Sequence, residues 1–213
     1  MLYDKDADIE QEKNFLERID STYQFERNDY FYLPGKILHL DGDNEYLTRC
    51  LKYYEKNNVA AIGFCIKEDE IKNKIYDLLK EYKPNIVVIT GHDAYYKRKG
   101  DKKNLDNYKN SMNFVESVKA ARQYESSHNK LIIIAGACQS NYEELIKAGA
   151  NFASSPKRIN IHALDPAIVA VKMSTSDANL DINLKDIINN TKYQERGIGG
   201  IITKGTMYMG YPR

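Results

Sequence analysis

Apolar runs and helical patterns alternate along most of the chain. The apolar runs are KILHL, VAAIGFCI, NIVVIT and LIIIAG, followed by a shorter NFASS and a strand-like INIHAL. Helices are predicted over residues 44–56, 69–82, 110–125 and 142–148, and a last one in DPAIVAVKM. Strands that alternate with helices of this length are typical of crossover units, so the sequence predicts a parallel β-sheet.

The predicted strands are continuous apolar runs in which polar and apolar residues do not alternate. A strand of this kind is expected where helices cover both faces of the sheet, because both faces are then buried. The sequence therefore predicts an α/β protein of three layers, doubly wound around a mostly parallel sheet.

The two ends of the chain depart from this alternation. Residues 1–33 are charged and rich in tyrosine, and we expect a lead-in segment with a helix around residues 8–20 and no strand. Pro34-Gly35 breaks the chain, and residues 34–213 are expected to form one α/β domain. Beyond Ser174 the chain becomes polar and then glycine-rich, which favours a hairpin or a tail. Its glycines match neither phosphate-binding loop pattern, and we expect no cofactor.

Composition and charge limit the classes of partner. The chain has 213 residues, 42% of them apolar, with 31 Lys and Arg against 30 Asp and Glu. This near-neutral balance gives no basic footprint for nucleic acid or an anionic membrane. No apolar run approaches the roughly 18 residues of a membrane span, and the acidic start lacks the layout of a secretory signal. We therefore expect an intracellular protein whose partners are neither nucleic acid nor membrane.

The three cysteines are odd in number, and their spacing matches no zinc or disulfide pattern, so no metal site is expected. Cys50 lies in a helical pattern and Cys65 in an apolar run, where a free cysteine is usually a small buried hydrophobe. Cys138 differs from both because it directly follows a predicted strand.

In an open parallel sheet, ligands bind outside the carboxyl ends of the strands. His92 follows the strand NIVVIT by two residues, and Cys138 follows LIIIAG by two. If these consecutive strands are neighbours, a spacing of about 4.8 Å brings both side chains to one substrate carbonyl. A thiol attacks efficiently only after a base has taken its proton, so His92 as base and Cys138 as nucleophile predict acyl transfer. The histidine precedes the cysteine by 46 residues, close to the roughly 50 of caspase-like enzymes.

Longer strings make a family resemblance specific. The strings ITGHDAYY, KNSMNFVESVKAAR and AGACQSNYEELIKAGANFASSPKRINIHALDP resemble the YabG family of sporulation-specific peptidases. The similarity begins near PGKILHLDGDNEYL and continues to KGTMYMGYP. It implies a caspase-like fold and a His-Cys dyad, which fall on His92 and Cys138 in this sequence.

The resemblance also implies a biological role. Members of this family are cysteine endopeptidases that process spore coat or cortex-associated proteins, so protein substrates are expected. The expected location is the cytoplasm of the sporulating cell or of the developing spore. Residues 34–213 would then be the catalytic region, which family members typically carry behind a small β-rich domain.

Backbone N–H groups beside the dyad are expected to stabilise an oxyanion. Small residues such as Gly91 and Gly136 let a peptide approach, and we expect donors at Gly91, Asp93 and Cys138. Asp93 departs from the wider caspase-like pattern, in which a glycine follows the histidine. Its side chain is expected either to point away or to help orient His92.

Acidic residues lie at the same predicted edge of the sheet. Asp41 and Asp43 follow the first strand, and Asp165 follows the last strand-like stretch. Caspase-like enzymes place a P1-binding residue after the first strand, so these aspartates predict a preference for Arg at P1. Arg is favoured because its planar guanidinium makes two parallel bonds to one carboxylate. For Asp43, capping of the following helix is an equally good interpretation.

Two other functions stay open at this point. An elbow-type cysteine hydrolase similar to amidotransferases needs a histidine after the cysteine, and His162 lies 24 residues downstream. A non-catalytic flavodoxin-like binding module would leave Cys138 inert. His162 is otherwise interpreted as a core histidine, and His39 as a structural residue of the first strand.

Overall fold

A computed structural model describes residues 10, 12–17, 30–96 and 100–211. It contains eight named strands: β1 (Phe31–Leu33), β2 (Ile37–Asp41), β3 (Ala61–Cys65), β4 (Ile86–Thr90), β5 (Ile132–Ala135), β6 (Phe152–Ser154), β7 (Ile198–Gly200) and β8 (Tyr208–Gly210). Six of them form a central sheet in the order β3-β2-β4-β5-β6-β7. Every neighbouring pair is parallel except β6 with β7, so the predicted mostly parallel sheet is confirmed.

Helices connect the strands and cover the sheet. They are α1 (Asn44–Lys56), α2 (Glu68–Tyr82), α3 (Ser111–Tyr124), α4 (Tyr142–Ala148), α5 (Asp165–Ser174) and α6 (Leu184–Asn189). Short 3₁₀ turns occur at Leu105–Asn107 and Gln194–Arg196. In the described part of the chain, no helix has both the length and the apolar character needed to cross a membrane.

Two cores lie on opposite faces of the sheet. In β4, Ile86 and Val88 join the core formed with α1, α5 and α6, whereas Val87 and Ile89 join the core formed with α2, α3 and α4. All four side chains are fully buried. The continuous apolar runs of the sequence therefore correspond to strands with both faces covered, and the predicted three-layer α/β fold is confirmed.

Polar caps begin two of the helices at the carboxyl edge of the sheet. The Asp43 carboxylate accepts the N–H groups of Glu45 and Tyr46 at the start of α1. The Asn141 side chain accepts the N–H of Glu144 at the start of α4. Because these caps are local in sequence, α1 and α4 begin and end where the sequence predicts.

The strand-like interpretation of INIHAL is wrong. Residues 159–164 form a loop, because the edge of β6 is paired with β7, which arrives antiparallel from later in the chain. The loop lies against the turn after β5, where the Gln139 N–H donates to the Ile159 carbonyl oxygen (3.0 Å). An apolar loop and a short strand have the same local pattern, so the sequence did not distinguish them.

The expectations for the two ends of the chain also need correction. The predicted lead-in contains β1, which pairs antiparallel with β8 and sets Phe31 opposite Gly210. The glycine-rich segment forms no local hairpin, since β7 pairs with β6 and β8 with β1. Residues 10 and 12–17 of the predicted first helix are helical, and the rest of that helix lies outside the described residues.

Candidate active site

His92 and Cys138 lie beyond the carboxyl ends of adjacent strands. β4 and β5 are parallel neighbours with Ile89 opposite Ala135, and His92 and Cys138 each follow these paired residues by three positions. The Gly136 N–H extends the pairing by donating to the Ile89 carbonyl oxygen (3.0 Å). Because neighbouring strands are about 4.8 Å apart, the loops that carry the imidazole and the thiol run side by side.

A tight turn after β5 holds Cys138. The Ala137 N–H donates to Ser140 Oγ (2.9 Å), and Gln139 adopts a φ of +59°. Gly136 has a φ of +102°, and a Cβ at this position would lie 2.8 Å from Leu145 Cδ1. Glycine satisfies both conditions at once, so the turn depends on it.

The Cys138 thiol is partly buried, and its Sγ lies 3.8 Å from the Ile161 carbonyl oxygen. Burial raises the pKa of the Cys138 thiol above its usual value. Backbone hydrogen bonds of Ile161 and of Cys138 itself oppose this rise, and the negative charges of Asp165 and Asp93 add to it. The resting thiol is therefore protonated at neutral pH, and nucleophilic attack requires a base.

The imidazole of His92 lies between two carboxylates. Its Nδ1 is 3.8 Å from Glu68 Oε1, its Nε2 is 3.8 Å from Asp43 Oδ2, and half of the side chain is exposed. The Tyr46 ring lies beside it with centroids 5.8 Å apart. Within the described residues, no hydrogen bond joins the imidazole to Cys138. Catalytic hydrogen bonds are often long in a resting enzyme and tighten only when substrate binds.

Asp93 follows His92 directly and is buried. Its carboxylate accepts four hydrogen bonds, from Ala94 N (2.8 Å), Asn110 N (2.7 Å), Ser140 Oγ (2.8 Å) and Ser111 Oγ. These partners belong to the His92 loop, the start of α3 and the turn that carries Cys138. The carboxylate thus joins the loops that carry His92 and Cys138, and its partners are groups other than the His92 ring.

A pocket of about 80 Å³ adjoins Cys138. Its lining comes from the ends of β2 and β4, the first turn of α1, the turn after β5, and the segment before and at the start of α5. The lining residues are Asp41, Tyr46, Thr90, Gly91, Gly136, Ala137, Cys138, Ile161, Ala163 and Pro166. His92 lies outside this lining. Asp41 is the acidic residue among the lining residues, so one pocket is bordered by both a carboxyl group and the Cys138 thiol.

A buried chain of hydrogen bonds ends at Asp41. The Tyr54 hydroxyl lies 2.8 Å from His39 Nδ1, His39 Nε2 lies 2.8 Å from Thr90 Oγ1, and Thr90 donates to Asp41 Oδ2 (2.6 Å). Because Thr90 gives its one hydrogen to Asp41, Nε2 of His39 carries the ring proton and Nδ1 accepts from Tyr54. Burial acts to raise the pKa of Asp41, but hydrogen bonds from His39, Thr90 and the Asp43 backbone hold that pKa below its usual value. The pocket therefore holds an ionised carboxylate at neutral pH.

Asp43 lies near His92 but outside the pocket lining. One carboxylate oxygen accepts the N–H groups of Glu45 (2.8 Å) and Tyr46 (3.1 Å), and the other is the oxygen near His92. The capping interpretation of Asp43 therefore describes this structure.

Asp165 is fully buried at the start of α5. Its carboxylate accepts the N–H groups of Lys192 (2.8 Å) and His162 (3.1 Å). Burial raises the pKa of Asp165 to about 6, although these two hydrogen bonds and the Lys192 charge oppose the rise. Asp165 is not among the residues that line the pocket, whereas Asp41 is.

Both ring nitrogens of His162 are engaged away from Cys138. Nε2 lies 2.8 Å from Glu12 Oε1, and Nδ1 accepts the Leu164 N–H (3.2 Å). The Phe15 ring packs edge-on against the imidazole at 5.0 Å. These contacts argue against His162 as the base of an elbow-type hydrolase.

The other two cysteines differ from each other. Cys50 is buried as predicted, and burial raises the pKa of its thiol to about 12. The same prediction for Cys65 is wrong, because this residue is exposed at the end of β3, an edge strand that pairs only with β2. In the described ranges, no cluster of three or more His, Cys, Asp or Glu side chains is arranged to hold a metal ion.

Glu68 is not among the site residues predicted from the sequence. The strand-end rule that selected His92 and Cys138 selects it too, since Glu68 follows the end of β3 by three residues. The link from His39 to the pocket was not predicted either. A polar residue inside an apolar strand needs a buried hydrogen-bond partner. The position of His39 within the first strand was therefore the sequence feature that could have predicted this link.

Comparison with known proteins identifies the family of the chain. A family model described as YabG peptidase U57 matches residues 3–212, so the chain belongs to this peptidase family. A curated relative, the sporulation-specific protease YabG of Bacillus subtilis (strain 168), is 48% identical over 192 residues. The match covers 90% of this chain and 66% of the relative, so the chain spans about two thirds of that protein's length. The family resemblance noted in the sequence is confirmed.

Proposed function

We propose that the chain is a cysteine endopeptidase in which Cys138 is the nucleophile and His92 is the general base. The observation that carries the proposal is the register of β4 and β5, which brings the two loops together at the carboxyl edge of the sheet. The raised pKa of the Cys138 thiol supports the need for a base. His92 is the better candidate because the ring nitrogens of His162 have other partners.

The proposed reaction has two stages. His92 takes the thiol proton as Cys138 Sγ attacks the scissile carbonyl carbon, which gives a tetrahedral intermediate with a negative oxygen. The C–N bond then breaks, His92 returns the proton to the leaving amine, and a thioester remains on Cys138. Water attacks the thioester with His92 again accepting a proton, and the C–S bond breaks to release the acid and restore the thiol.

The oxyanion of the intermediate is proposed to bind backbone N–H groups at Gly91, Asp93 and Cys138. Gly91 and Cys138 line the pocket, which supports these two donors. Asp93 lies outside the lining, and its carboxylate is bound to α3 and to the Cys138 turn. Support for a donor at Asp93 is correspondingly weaker.

The substrates are proposed to be spore coat or cortex-associated proteins, because the relative is a sporulation-specific protease. The proposed location is the cytoplasm of the sporulating cell or of the developing spore. Within the chain, residues 34–213 are proposed as the catalytic region and residues 1–33 as a lead-in segment.

Cleavage is proposed to follow Arg. Asp41 lies in the pocket beside Cys138 and keeps its charge at neutral pH, because the donors around it lower its pKa. A carboxylate offers about four lone-pair positions, so Asp41 can still accept bonds from a guanidinium. The planar fork of Arg suits such an acceptor better than the point charge of Lys.

Replacement of either dyad residue tests the reaction. Cys138→Ala and His92→Ala are each expected to lower kcat/KM for a peptide substrate by at least about 1000-fold, since a nucleophile and its base act as a unit. Thermal unfolding should stay close to that of the wild type, and Cys65→Ala serves as the control with full activity. An active Cys138→Ala variant would refute the proposal. Loss of activity in His162→Ala but not in His92→Ala would favour the elbow-type hydrolase.

A panel of fluorogenic peptides that differ only at P1 tests the pocket. The wild type is expected to prefer Arg over Lys and to ignore Asp. Asp41→Asn should lower kcat/KM for the Arg peptide by about 30-fold or more, the range for removing one partner of a buried charged pair. Asp165→Asn should keep the Arg preference. Efficient cleavage after Asp, or an unchanged Arg preference in Asp41→Asn, would contradict the assignment.

A further inference from the structure

Glu68 contacts His92 at two points. It is the first residue of α2, and its side chain is only 16% exposed. Its Oε1 accepts the backbone N–H of His92 at 2.7 Å. The same oxygen lies 3.8 Å from Nδ1 of the imidazole. The first contact is a strong hydrogen bond to the loop, and the second sets a negative charge beside one ring nitrogen.

The fold leaves room for this carboxylate. Glu68 follows β3, whereas His92 follows β4, and β2 lies between these strands in the sheet. Glu68 therefore reaches across the loop after β2, which contains Gly42. A Cβ at Gly42 or at Gly91 would collide with the Glu68 carboxylate. Two glycines at the ends of two strands thus allow the carboxylate to reach the histidine backbone.

We propose that Glu68 is a positioning residue that fixes the His92 imidazole for proton transfer with Cys138; this inference rests on the proposed role of His92 as the base. A base that takes a proton at one ring nitrogen must carry its own proton at the other. A carboxylate at Nδ1 holds the proton there and leaves the Nε2 lone pair for the thiol. The hydrogen bond from the His92 N–H also holds the loop after β4 against the start of α2.

Asp43 is a weaker candidate for this role. Its Oδ1 accepts two N–H groups at the start of α1, and its Oδ2 lies near Nε2, the nitrogen that must face the thiol. Glu68 is on the Nδ1 side and also bonds the backbone of the same residue. It is therefore the carboxylate whose two contacts both act on the position of His92.

The test compares Glu68→Gln with Glu70→Gln. The glutamine at position 68 keeps a carbonyl oxygen for the His92 N–H but removes the charge beside Nδ1. Glu70 is the matched control, because it lies in the same helical turn, is exposed and pairs with Lys74 (2.7 Å). We expect kcat of Glu68→Gln to fall by about 10- to 100-fold with KM within about twofold of the wild type. Replacing a fully buried triad carboxylate lowers kcat by roughly 10⁴-fold. We expect a smaller fall in kcat here, because Glu68 lies 3.8 Å from the imidazole.

A second measurement does not depend on activity. The ¹⁵N chemical shifts of the His92 ring report which nitrogen carries the proton, and Glu68→Gln should shift the tautomer population away from Nδ1–H. Unchanged kcat together with an unchanged tautomer would overturn the inference. A loss of kcat that is accompanied by a loss of thermal stability would also overturn the inference, since that outcome indicates a purely structural role. If the wild type cleaved no peptide, the proposed function would fail, and the tautomer alone would still decide whether Glu68 positions the ring.

Discussion

At the scale of single residues, two buried aspartates near the carboxyl end of the sheet have pKa shifts of opposite sign. Burial raises the pKa of both carboxyl groups. For Asp41, the imidazole of His39 and the hydroxyl of Thr90 outweigh burial, and the pKa falls. For Asp165, two backbone N–H groups and the Lys192 charge do not outweigh it, and the pKa rises to about 6. Hydrogen-bond donors thus decide which aspartate is suited to bind a cation.

Asp165 gives the stability of the protein a specific pH dependence. Its pKa is higher in the folded state than in the unfolded state, so the folded state binds more protons between pH 4 and pH 6. The contribution of Asp165 to the free energy of unfolding is therefore fully present below about pH 4 and is lost as the pH rises through about 6. Relative to the wild type, Asp165→Asn should gain up to about 3 kcal/mol across this window.

Urea unfolding at a series of pH values measures this difference. Asp181→Asn, an exposed aspartate, gives the reference curve. A difference between Asp165→Asn and the wild type that stays flat from pH 4 to pH 7 would show that Asp165 has no raised pKa.

The sequence predicts the dyad but not the group beside it. The positions of His92 and Cys138 at one edge of the sheet could be predicted because each lies just beyond its own strand, and the strand-end rule needs only local sequence. The contact of Glu68 with His92 depends on the order β3-β2-β4, which brings the end of β3 within reach of the end of β4 across one strand. Local patterns carry no information on that order.

At the scale of elements, Asp93 ties β4, α3 and the turn after β5 together. Asp93→Ala is expected to destabilise the protein by about 3 to 5 kcal/mol, because it leaves two hydroxyl groups and two backbone N–H groups without their acceptor. Activity should fall as well, since the loops of His92 and Cys138 lose a shared partner. Chemical denaturation measures the first effect and peptide cleavage the second.

Asp106 provides the control for this prediction. It lies in the same connection between β4 and α3 and is exposed, so Asp106→Ala should change stability by less than about 0.5 kcal/mol. Equal stability of the Asp93→Ala and Asp106→Ala variants would mean that the four hydrogen bonds of Asp93 contribute nothing to the fold.

Elements with local signals were predicted well, and elements with distant partners were not. Asp43 and Asn141 cap their helices from the adjacent sequence, and the predicted bounds of α1 and α4 agree with the structure. By contrast, β1 becomes a strand only because β8 pairs with it from the other end of the described chain. The loop at residues 159–164 is excluded from the sheet only because β7 pairs with β6.

At the scale of the whole molecule, the pocket is supported by segments far apart in sequence. Glu12 bonds both His162 (2.8 Å) and Lys192 (3.0 Å), so the helix at residues 12–17 is linked to the loop that borders Cys138 and to the chain after α6. Both partners are more than a hundred residues away from Glu12. No periodicity in the sequence predicts these contacts, because they depend on how distant segments pack together in the folded chain.

The buried chain from Tyr54 through His39 and Thr90 to Asp41 has a consequence for how this family can evolve. Each member supplies the donor or acceptor that its neighbour needs, and all four residues are buried, with Tyr54 and His39 fully so. A change at one position leaves a polar group unpaired in the core, whereas replacement of the whole set by apolar residues removes that cost. We therefore expect the four positions to change together among relatives, with apolar residues at the other three wherever an apolar residue replaces Asp41.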